Sequence, residues 1–457
     1  MVCSCHHTPV TETITVEAPF AMPALTVPSF PDRHFAVTDY GAIPGTECAE
    51  GDSLRAVTNT EAFAKAITSC TEAGGGHVVI PAGSWLCGPI HLRDNVDLRL
   101  EEGCSLVFID NPAFYLPAVQ TSWEGLECMN YSPLVYALGC TNIAISGKGR
   151  LAPRMQLWRS WFGRPESHYD ALGRLYHLAS TGVPVEQRDM TVLGSEHLRP
   201  HLVHFNRCKD VLLEDFSIRE SPFWTIHLLL CENVIARRLD VYAHGNNNDG
   251  IDLEMTRNAL VEDCTFDQGD DAVVIKSGRN HDAWRLHTPT ENVVVRNCTV
   301  RNGHSLLGIG SEMSGGVNNI YMHHMQCPED IRRLFYLKTN HRRGGYIRNI
   351  TFEHVEANHV LRAFDIDTDV LYQWRDLVPT YDTVYTLIDS ITMQHVRVAH
   401  ADAAIDLKGD PHQPVGTVII RDVRVDSVSQ FATQVINVSN LVKNGVFIGG
   451  KEWTQSD

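Results

Sequence analysis

One short template recurs along most of the chain: a polar residue, then alternating apolar and polar positions, then a turn. Examples are NVIARRLDVY, NALVEDCTF, NVVVRNCTV and NITFEHV. Segments of this kind start 23, 25, 34, 27 and 30 residues apart, at Asp210, Asn233, Asn258, Asn292, Asn319 and Asn349. Propeller blades need about 40 or more residues, whereas coils of roughly 20 to 30 residues suit a β-helix. The repeat predicts an all-β, single-domain, right-handed parallel β-helix; an antiparallel sandwich is the alternative.

The N-terminal part of the chain lacks this template. Residues 1–30 are rich in Pro, Thr and Ala, and we expect them to form an irregular lead-in to a β-helix domain of residues 31–457. Within that domain, the segment NTEAFAKAITSCTEAGGG predicts a short helix with Thr60 as a candidate N-cap. Such a helix would cap the end of a solenoid, whose backbone groups are otherwise unpaired. Four apolar residues share one face of it: Ala62, Phe63, Ala66 and Ile67.

The chain has 13 cysteines, an odd number, and most are isolated. Their spacing is typical of small apolar residues stacked in a solenoid core rather than of a disulfide framework. Cys3 and Cys5 have no second pair nearby with which to form a zinc site. We therefore predict no metal site and no cofactor. Five of the isolated cysteines recur at spacings of 23 to 34 residues: Cys208, Cys231, Cys264, Cys298 and Cys327.

The first ten residues, MVCSCHHTPV, lack the apolar stretch of a signal peptide, and no run of about 18 apolar residues is present to span a membrane. One interpretation is that a signal sequence has been removed, with Cys3 or Cys5 as the acylated cysteine of a bacterial lipoprotein. The corresponding prediction is a secreted, periplasmic or surface-associated protein.

The charge balance is acidic, because 38 Lys and Arg stand against 55 Asp and Glu, for a net charge of -17. This balance argues against nucleic acid as a partner, and it would repel an acidic polysaccharide at long range. One stretch, DIRRLFYLKTNHRRGGYIR, has the opposite balance. It is either a binding patch for a polyanion or a solvated surface loop. Its basic residues are Arg332, Arg333, Lys338, Arg342, Arg343 and Arg348.

Three aspartates are the candidate catalytic residues. Asp249 in NNDGID lies 21 and 22 residues before Asp270 and Asp271 in QGDDAVVIKSG, so one coil of a β-helix would bring all three together. Neighbouring carboxylates raise one another's pKa, and hydrolysis of a glycosidic bond uses one carboxylic acid and one carboxylate. The alternative is that these Asp and Gly residues only make turns. If Asp270 and Asp271 are both to serve a groove, the backbone must bend, which Gly269 would permit.

Two more residues join this hypothesis by their positions on later coils. His304 in NGHSLLGIGSE falls at the equivalent turn of the next coil, where its imidazole could hydrogen-bond a carboxylate. Lys338 in FYLKTN is a candidate cation for a substrate carboxylate. In contrast, strand alternation predicts that Asp252 faces away from Asp249 and is structural.

The ordered motifs NND, GDD, GHS and the lysine of YLK resemble those of glycoside hydrolase family 28, the polygalacturonases, which are usually NTD, GDD, GHG and RIK. The stretches ESPFWTIHLLLCENV, ISGKGRL and WEGLECMNYSPLVYA resemble the bacterial exo-acting members. The likeness extends from Phe35 to about Ile436. It implies an exo-acting hydrolase of α-galacturonosidic bonds in pectin-derived chains, which releases galacturonic acid.

The resemblance also implies residue roles. Asp270 would be the general acid, and Asp249 and Asp271 would position and deprotonate the attacking water. The family inverts anomeric configuration, so the acid and base should stand about 6.5 to 9.5 Å apart. His304 would support the acids, and Lys338 would hold the carboxylate of the sugar beside the cleaved bond.

One departure from the family pattern affects the substrate. Tyr336 replaces the arginine of RIK, which removes a bidentate carboxylate clamp. Arg333, or an arginine after Asn340, is the candidate replacement. Otherwise the substrate would be a rhamnogalacturonan or a decorated pectin fragment. Two further alternatives are a calcium-dependent pectate lyase and a glycan-binding β-helix without catalysis.

The stretch Phe114–Glu196 is long and aromatic, and it is a candidate wall that closes the groove for exo action. It contains Trp123, Trp158 and Trp161. Their rings either stack on sugars or pack beneath loops.

Overall fold

Three parallel β-sheets run along the axis of the structure, and each coil of the chain adds a strand to each sheet. The result is the predicted right-handed parallel β-helix. The structure is a computed structural model that describes residues 12–46, 51–370 and 383–454. Cys3 and Cys5, and with them the acylation hypothesis, lie outside the described residues.

Strands are numbered in chain order. The first sheet contains β3 (His34–Ala36), β4 (Gly76–Ile80), β7 (Val96–Leu100), β12 (Thr141–Ser146), β15 (Lys209–Glu214), β18 (Glu232–Arg237), β21 (Arg257–Glu262), β24 (Thr290–Arg296) and β31 (Val438–Asn444). The second contains β5 (Gly83–Cys87), β8 (Cys104–Phe108), β13 (Arg150–Leu151), β16 (Ser217–Arg219), β19 (Asp240–Ala243), β22 (Thr265–Gln268), β25 (Thr299–Asn302) and β32 (Phe447–Ile448). The third contains β6 (Ile90–His91), β11 (Val135–Leu138), β14 (Val203–Asn206), β17 (Ile226–Leu229), β20 (Ile251–Glu254), β23 (Val273–Lys276) and β26 (Leu307–Ile309). Four long strands pass through all three sheets: β27 (Val317–Lys338), β28 (Tyr346–Asp367), β29 (Leu387–Lys408) and β30 (Val415–Ile436).

Three antiparallel pairings supplement the coils. β1 (Thr13–Ile14) pairs with β2 (Leu25–Thr26), β9 (Val119–Trp123) with β10 (Leu126–Asn130), and β33 (Lys451–Glu452) with β32. The first of these pairs belongs to the N-terminal lead-in. Its apolar residues pack on outward residues of the first sheet, namely Ala144, Leu212, Ile235, Leu260 and Val294.

The predicted capping helix is present as α1 (Asp52–Glu72). It begins well before Thr60, so the predicted N-cap is wrong. The Thr60 hydroxyl instead donates to the carbonyl of Ala56 inside the helix and accepts from the Gly88 N–H. All four residues of the predicted apolar face are buried in the core. The remaining helices are α2 (Gln156–Ser160), α3 (Glu166–Ser180) and α4 (Asn280–Leu286), with 3-10 turns at Val37–Tyr40, Pro112–Tyr115, Trp161–Gly163 and Val185–Gln187.

The polar residues that open the repeats stack into a ladder along the axis. Asn233 Nδ2 donates to Asp210 Oδ1 at 2.7 Å, and Asn319 Nδ2 donates to Asn292 Oδ1 at 2.9 Å. All six predicted starting residues have left-handed backbone, with φ between 55° and 58°. Asn and Asp are the side chains that tolerate this conformation best after Gly. Each repeat therefore begins with Asn or Asp because the backbone of the coil turns at that position.

The inward residues of the three sheets form one continuous core. The ten cysteines that the structure describes are free and buried, as predicted. They form more than one stack, because Cys208 and Cys231 follow strands of the third sheet whereas Cys264 and Cys298 lie between the first and second sheets. In residues 12–46, 51–370 and 383–454, no helix combines the length and the apolarity needed to cross a membrane.

Candidate active site

Two of the three aspartates occupy equivalent positions on adjacent coils of the third sheet. Asp249 lies two residues before β20, and Asp271 lies two residues before β23. Parallel pairing joins the coils here, because the Gly250 N–H donates to the carbonyl of Asp271 at 2.9 Å. The prediction that one coil carries Asp249 to the side of the GDD motif is therefore confirmed.

The third aspartate reaches the site because the chain bends between β22 and β23. Gly269 starts this bend, and a side chain there would clash, since its Cβ would lie 2.5 Å from the backbone nitrogen of Gly245. Asp270 and Asp271 consequently both face the same cavity, as expected. One oxygen from each carboxylate of Asp249, Asp270 and Asp271 lies within 4.8 Å of the others.

Hydrogen bonds fix the acids from later coils. His304 Nδ1 lies 3.0 Å from Asp270 Oδ1. Lys338 Nζ donates to Asp271 Oδ2 at 2.7 Å, and the Ser305 hydroxyl donates to Asp271 Oδ1 at 2.6 Å. The predicted contact of His304 with an acid is thus a contact with Asp270. Lys338 was predicted to hold a substrate carboxylate, and its hydrogen bond to Asp271 was not predicted.

A second lysine, Lys276, lies under the acids and was not singled out from the sequence. Its Nζ lies 3.0 Å from Glu312 Oε2 and 3.9 Å from both Asp249 Oδ2 and Asp252 Oδ1. It also lies 4.4 Å from the centre of the Trp224 ring. Strand alternation could have indicated it, because Val273 and Ile275 belong to the core and Lys276 is the next outward position.

Asp252 is buried beside this lysine rather than turned away from Asp249. The two carboxylates approach Lys276 at the same distance, so the predicted opposite orientation is wrong. The reason is that Asp249 precedes the strand, where simple alternation does not apply. Asp252 does not line the cavity, and neither of its carboxylate oxygens has a hydrogen-bond partner.

The environment shifts the pKa values of Asp249 and Asp270 in opposite directions. Burial, followed by repulsion from Asp252 and Asp270, raises the pKa of Asp249 well above its ordinary value. Burial also acts to raise the pKa of Asp270, but the hydrogen bond and charge of His304 and the charges of both lysines lower it to about 2. Of Asp249 and Asp270, Asp249 therefore holds a proton more readily.

The trio opens into a cavity of about 400 Å³. Eight Lys and Arg line it against five Asp and Glu, so the cavity has an excess of basic residues, unlike the chain as a whole. All seven residues predicted for the site line it: Asp249, Asp270, Asp271, His304, Arg333, Tyr336 and Lys338. Further basic residues of the lining are Arg164, Lys276, Arg279, Arg332, Arg342 and Arg343.

The basic stretch is therefore a cavity wall, with one exception. Arg348 stacks on Tyr346, with 4.7 Å between its guanidinium and the ring centre, and donates to the side chain of Asn318. Arg333 and Tyr336 stack in the same way at 4.2 Å, and Arg333 Nε donates to Asp365 Oδ2 at 2.6 Å. A guanidinium thus lies beside the tyrosine that replaces the family's arginine.

The segment Phe114–Glu196 contributes to the wall of the cavity, but not with its tryptophans. Trp123, Trp158 and Trp161 are buried, so the packing alternative is the correct one. The cavity receives Glu124 and Arg164 from this segment.

The β9–β10 hairpin is the part of this segment that reaches across the groove. The Arg279 N–H donates to the carbonyl of Gly125 at 3.0 Å. The Glu127 N–H donates to Asp282 Oδ2 at 2.9 Å. These bonds join the turn and second strand of the hairpin to residues at the start of α4.

The carboxylate spacing differs from the expected value. One oxygen of each carboxylate lies within 4.8 Å of the others, whereas inversion by two flanking carboxyl groups is associated with about 6.5 to 9.5 Å. The prediction of inversion therefore rests on the family resemblance.

The trio is also a set of oxygen ligands that a hard cation could use. Lys338 and Lys276 already supply positive charge to these carboxylates. A cation would have to compete with them. The arrangement is suited to proton transfer between closely spaced acids.

A parallel β-helix with three aspartates at the base of a cationic cavity is the architecture of an enzyme that cleaves polysaccharides, and comparison with known proteins agrees. The sequence model of the family described as glycosyl hydrolases family 28 matches residues 189–445. The chain belongs to this family and is a glycoside hydrolase, as the motifs predicted.

Individual relatives support this assignment. The crystal structure of a hyperthermoactive exopolygalacturonase from Thermotoga maritima is similar, with 34% identity, a TM-score of 0.82, and coverage of 92% of this chain and 94% of that one. A probable polygalacturonase of Vitis vinifera is 23% identical over 85% of this chain and 74% of its own length. An exo-poly-alpha-D-galacturonosidase of Dickeya chrysanthemi is 24% identical over 62% of this chain and 48% of its own length.

Proposed function

We propose that the protein is an exo-acting hydrolase that cleaves α-galacturonosidic bonds at one end of pectic chains and releases galacturonic acid. The observation that carries the proposal is the pairing of the aspartate trio with a cationic cavity in a chain of net charge -17. A uronate sugar brings one carboxylate per residue. A local cluster of Arg and Lys offsets the long-range repulsion that such a substrate would meet.

Exo action follows from the closed end of the groove. The outward residues Tyr136 and His204 on the earlier third-sheet strands are buried, so the polymer cannot continue over them. The β9–β10 hairpin and α4 close the space between this region and the acids. The sugar that enters the cavity is then a chain terminus. The exopolygalacturonase of Thermotoga maritima supports the same assignment.

We assign proton donation to Asp270 and handling of water to Asp249 and Asp271. Because burial raises the pKa of Asp249 in the free site, we take Asp249 as the initial position of the proton, and the donor receives it when substrate binds. The carboxylate of a bound sugar near Lys338 and His304 would offset their charges and raise the pKa of Asp270. The proton can then pass across the short gap between the carboxylates, which leaves Asp249 ionised as a base.

The substrate carboxylate needs a partner where the family pattern has an arginine. Arg333 is our candidate, because it lines the cavity and stacks on Tyr336. Lys338 is the second cation on this wall. Polymeric pectin does not cross membranes, so this substrate favours the secreted, periplasmic or surface location predicted from the sequence.

The test is a panel of oligogalacturonides, rhamnogalacturonan fragments and methylated pectin fragments, with products identified by mass and with D270N as the matched control. We expect monomeric galacturonic acid from the start of the reaction, unchanged activity in EDTA, and loss of activity in D270N.

Other products would contradict the proposal in different ways. Early release of mixed oligomers would exclude exo action. Release only from rhamnogalacturonan or decorated fragments would assign a different sugar. An unsaturated product that absorbs in the ultraviolet, together with inhibition by EDTA, would identify a lyase. Unchanged release of reducing sugar by D270N would exclude the assigned mechanism.

A further inference from the structure

Three buried histidines lie together beneath the segment that closes the groove. His204 on β14 and His227 on β17 are paired in register on adjacent coils, and His201 lies two residues before β14. Their ring centres are 4.5 to 5.0 Å apart. One nitrogen from each ring lies within 4.8 Å of the other two. The glycosidase mechanism uses none of the three.

Hydrogen bonds orient two of these rings, those of His201 and His227, as they orient metal ligands, whereas His204 Nε2 has no hydrogen-bond partner among the described residues. His201 Nε2 lies 3.1 Å from the carbonyl of Ser122, which can only accept, so His201 donates there. This leaves a lone pair on His201 Nδ1, which is buried and has no hydrogen-bond partner. His227 Nε2 lies 2.8 Å from Glu254 Oε2. A histidine that binds a metal through one nitrogen typically donates from the other to a carbonyl or a carboxylate.

The distance between the inner nitrogens fits a metal site. His204 Nδ1 and His227 Nδ1 lie 3.0 Å apart. Two nitrogens bonded to one tetrahedral zinc ion at about 2.05 Å are roughly 3.3 Å apart. Without an ion, the two nitrogens must share a proton, and His201 Nδ1 remains a buried polar atom without a partner, which is costly.

We propose that His201, His204 and His227 bind one divalent transition-metal ion, with Glu254 and the Ser122 carbonyl as outer hydrogen-bond partners. Three imidazoles suit the later first-row metals, and Zn²⁺ matches a tetrahedral arrangement.

The position of the site gives the ion a structural role. Ser122 belongs to β9 of the closing hairpin, whereas the histidines belong to the third sheet and the chain entering it. The ion would therefore join the hairpin to the solenoid. His227 on β17 pairs in register with Asp252 on β20. The ion would therefore also lie next to β20, the strand that follows Asp249.

The first experiment measures metal content by mass spectrometry of the native protein expressed in zinc-supplemented medium and passed over chelating resin. We expect about one equivalent of zinc in the wild type and less than about a tenth in His201→Leu/His204→Leu. The matched control is His359→Ala/His400→Ala, which removes the surface cluster of His359, His400 and Asp402. That control should retain the full equivalent.

The second experiment uses only the wild type, in case the core variant does not fold. Protein expressed with Co²⁺ should show the intense visible absorption of a tetrahedral Co²⁺ site. Unfolding and refolding with a chelator should lower Tm, and Zn²⁺ added during refolding should restore it.

Two results would overturn the proposal. One is wild-type protein without bound metal from zinc-, cobalt- and nickel-supplemented cultures, which would leave a hydrogen-bonded group of neutral imidazoles. The other is metal lost in the surface variant but retained in the core variant.

Discussion

Lys276 and Lys338 occupy the same position of the third sheet two coils apart, and both direct their ammonium groups at the aspartate trio. The register shows this, because Ile275 pairs with Ile309, which in turn pairs with Leu337. Lys276 lies 3.9 Å from Asp249, and Lys338 lies 2.7 Å from Asp271. The acids are thus held between two cations, of which one is buried in an ion network and the other lies at the cavity wall.

Replacing the wall lysine should weaken substrate binding. Lys338→Met removes a cation placed for the sugar carboxylate, and a hydrogen bond to a charged group contributes about 1.5 to 3 kcal/mol. We expect KM for tri-galacturonate to rise about 10- to 100-fold. Lys408→Met is the control, because Lys408 lies further along the same sheet position and pairs with Asp406 outside the cavity. A fall in Tm with unchanged KM would assign Lys338 a structural role instead.

Replacing the buried lysine should affect stability first. Lys276→Met leaves Glu312 facing one fewer cation in a buried network, and breaking a buried pair costs about 3 to 5 kcal/mol. Chemical denaturation should show this loss, and Lys276→Met/Glu312→Gln should recover part of it. We expect the double variant to remain poorly active, because Asp249 has still lost its neighbouring charge. Full activity in the double variant would mean that Lys276 acts only on folding.

The donor assignment predicts a dependence on the leaving group. Asp270→Asn should lose most of its activity on oligogalacturonides, whose leaving oxygen needs a proton. On an aryl α-galacturonide with an acidic phenol the loss should be much smaller, since that leaving group departs without protonation. Asp271→Asn should lose activity on both substrates. Equal losses for Asp270→Asn on the two substrates would move the donor role to another acid.

The pKa order predicts a displaced pH profile. Activity should fall as pH rises through the raised pKa of Asp249, because in our mechanism Asp249 is the source of the donated proton. It should fall on the acid side only as pH approaches the pKa of Asp270, which is about 2 and lies below the ordinary value. His304→Gln removes the hydrogen bond and charge that lower this pKa, so its acid limb in kcat/KM should move to higher pH. An unmoved acid limb, with His359→Gln as the surface control, would show that another group governs it.

The close carboxylates make the stereochemical outcome a direct test. The family resemblance implies inversion, whereas a spacing within 4.8 Å resembles that of retaining pairs. We expect inversion, with water held between Asp249 and Asp271. Proton NMR during early turnover of an α-linked substrate should therefore show β-galacturonic acid first. Initial α-product would require a covalent intermediate on one of the three acids.

Sequence reasoning reached the fold and the positions of the acids because both depend on local pattern. The ladder residues, such as Asn292 and Asn319, are visible as a repeat since the backbone conformation of each coil corner selects Asn or Asp. Asp249 could be placed beside Asp271 because one repeat separates them. Both inferences need only the coil length.

Other properties of the site arise between distant segments and have no local pattern. The low pKa of Asp270 depends on His304 and Lys338, which lie 34 and 68 residues later in the chain. The burial of Trp158 depends on a long insertion whose path no repeat describes. His201 likewise meets Ser122 only because that insertion folds back over the sheet.

The stacking of Asp249 over Asp271 means that the backbone, rather than any side chain, sets the distance between two of the proposed catalytic acids. Neighbouring coils repeat at about 4.8 Å, and a catalytic residue can move along the axis only by whole coils. The distance along the axis between acids at equivalent positions therefore changes in steps of one coil. Acids on neighbouring coils form a close pair, and acids two coils apart are separated by roughly 9.6 Å. Point substitutions can change the charge of this site, the sugar that it binds or the pH range in which it acts. A larger distance between the stacked acids requires one acid to move to another coil.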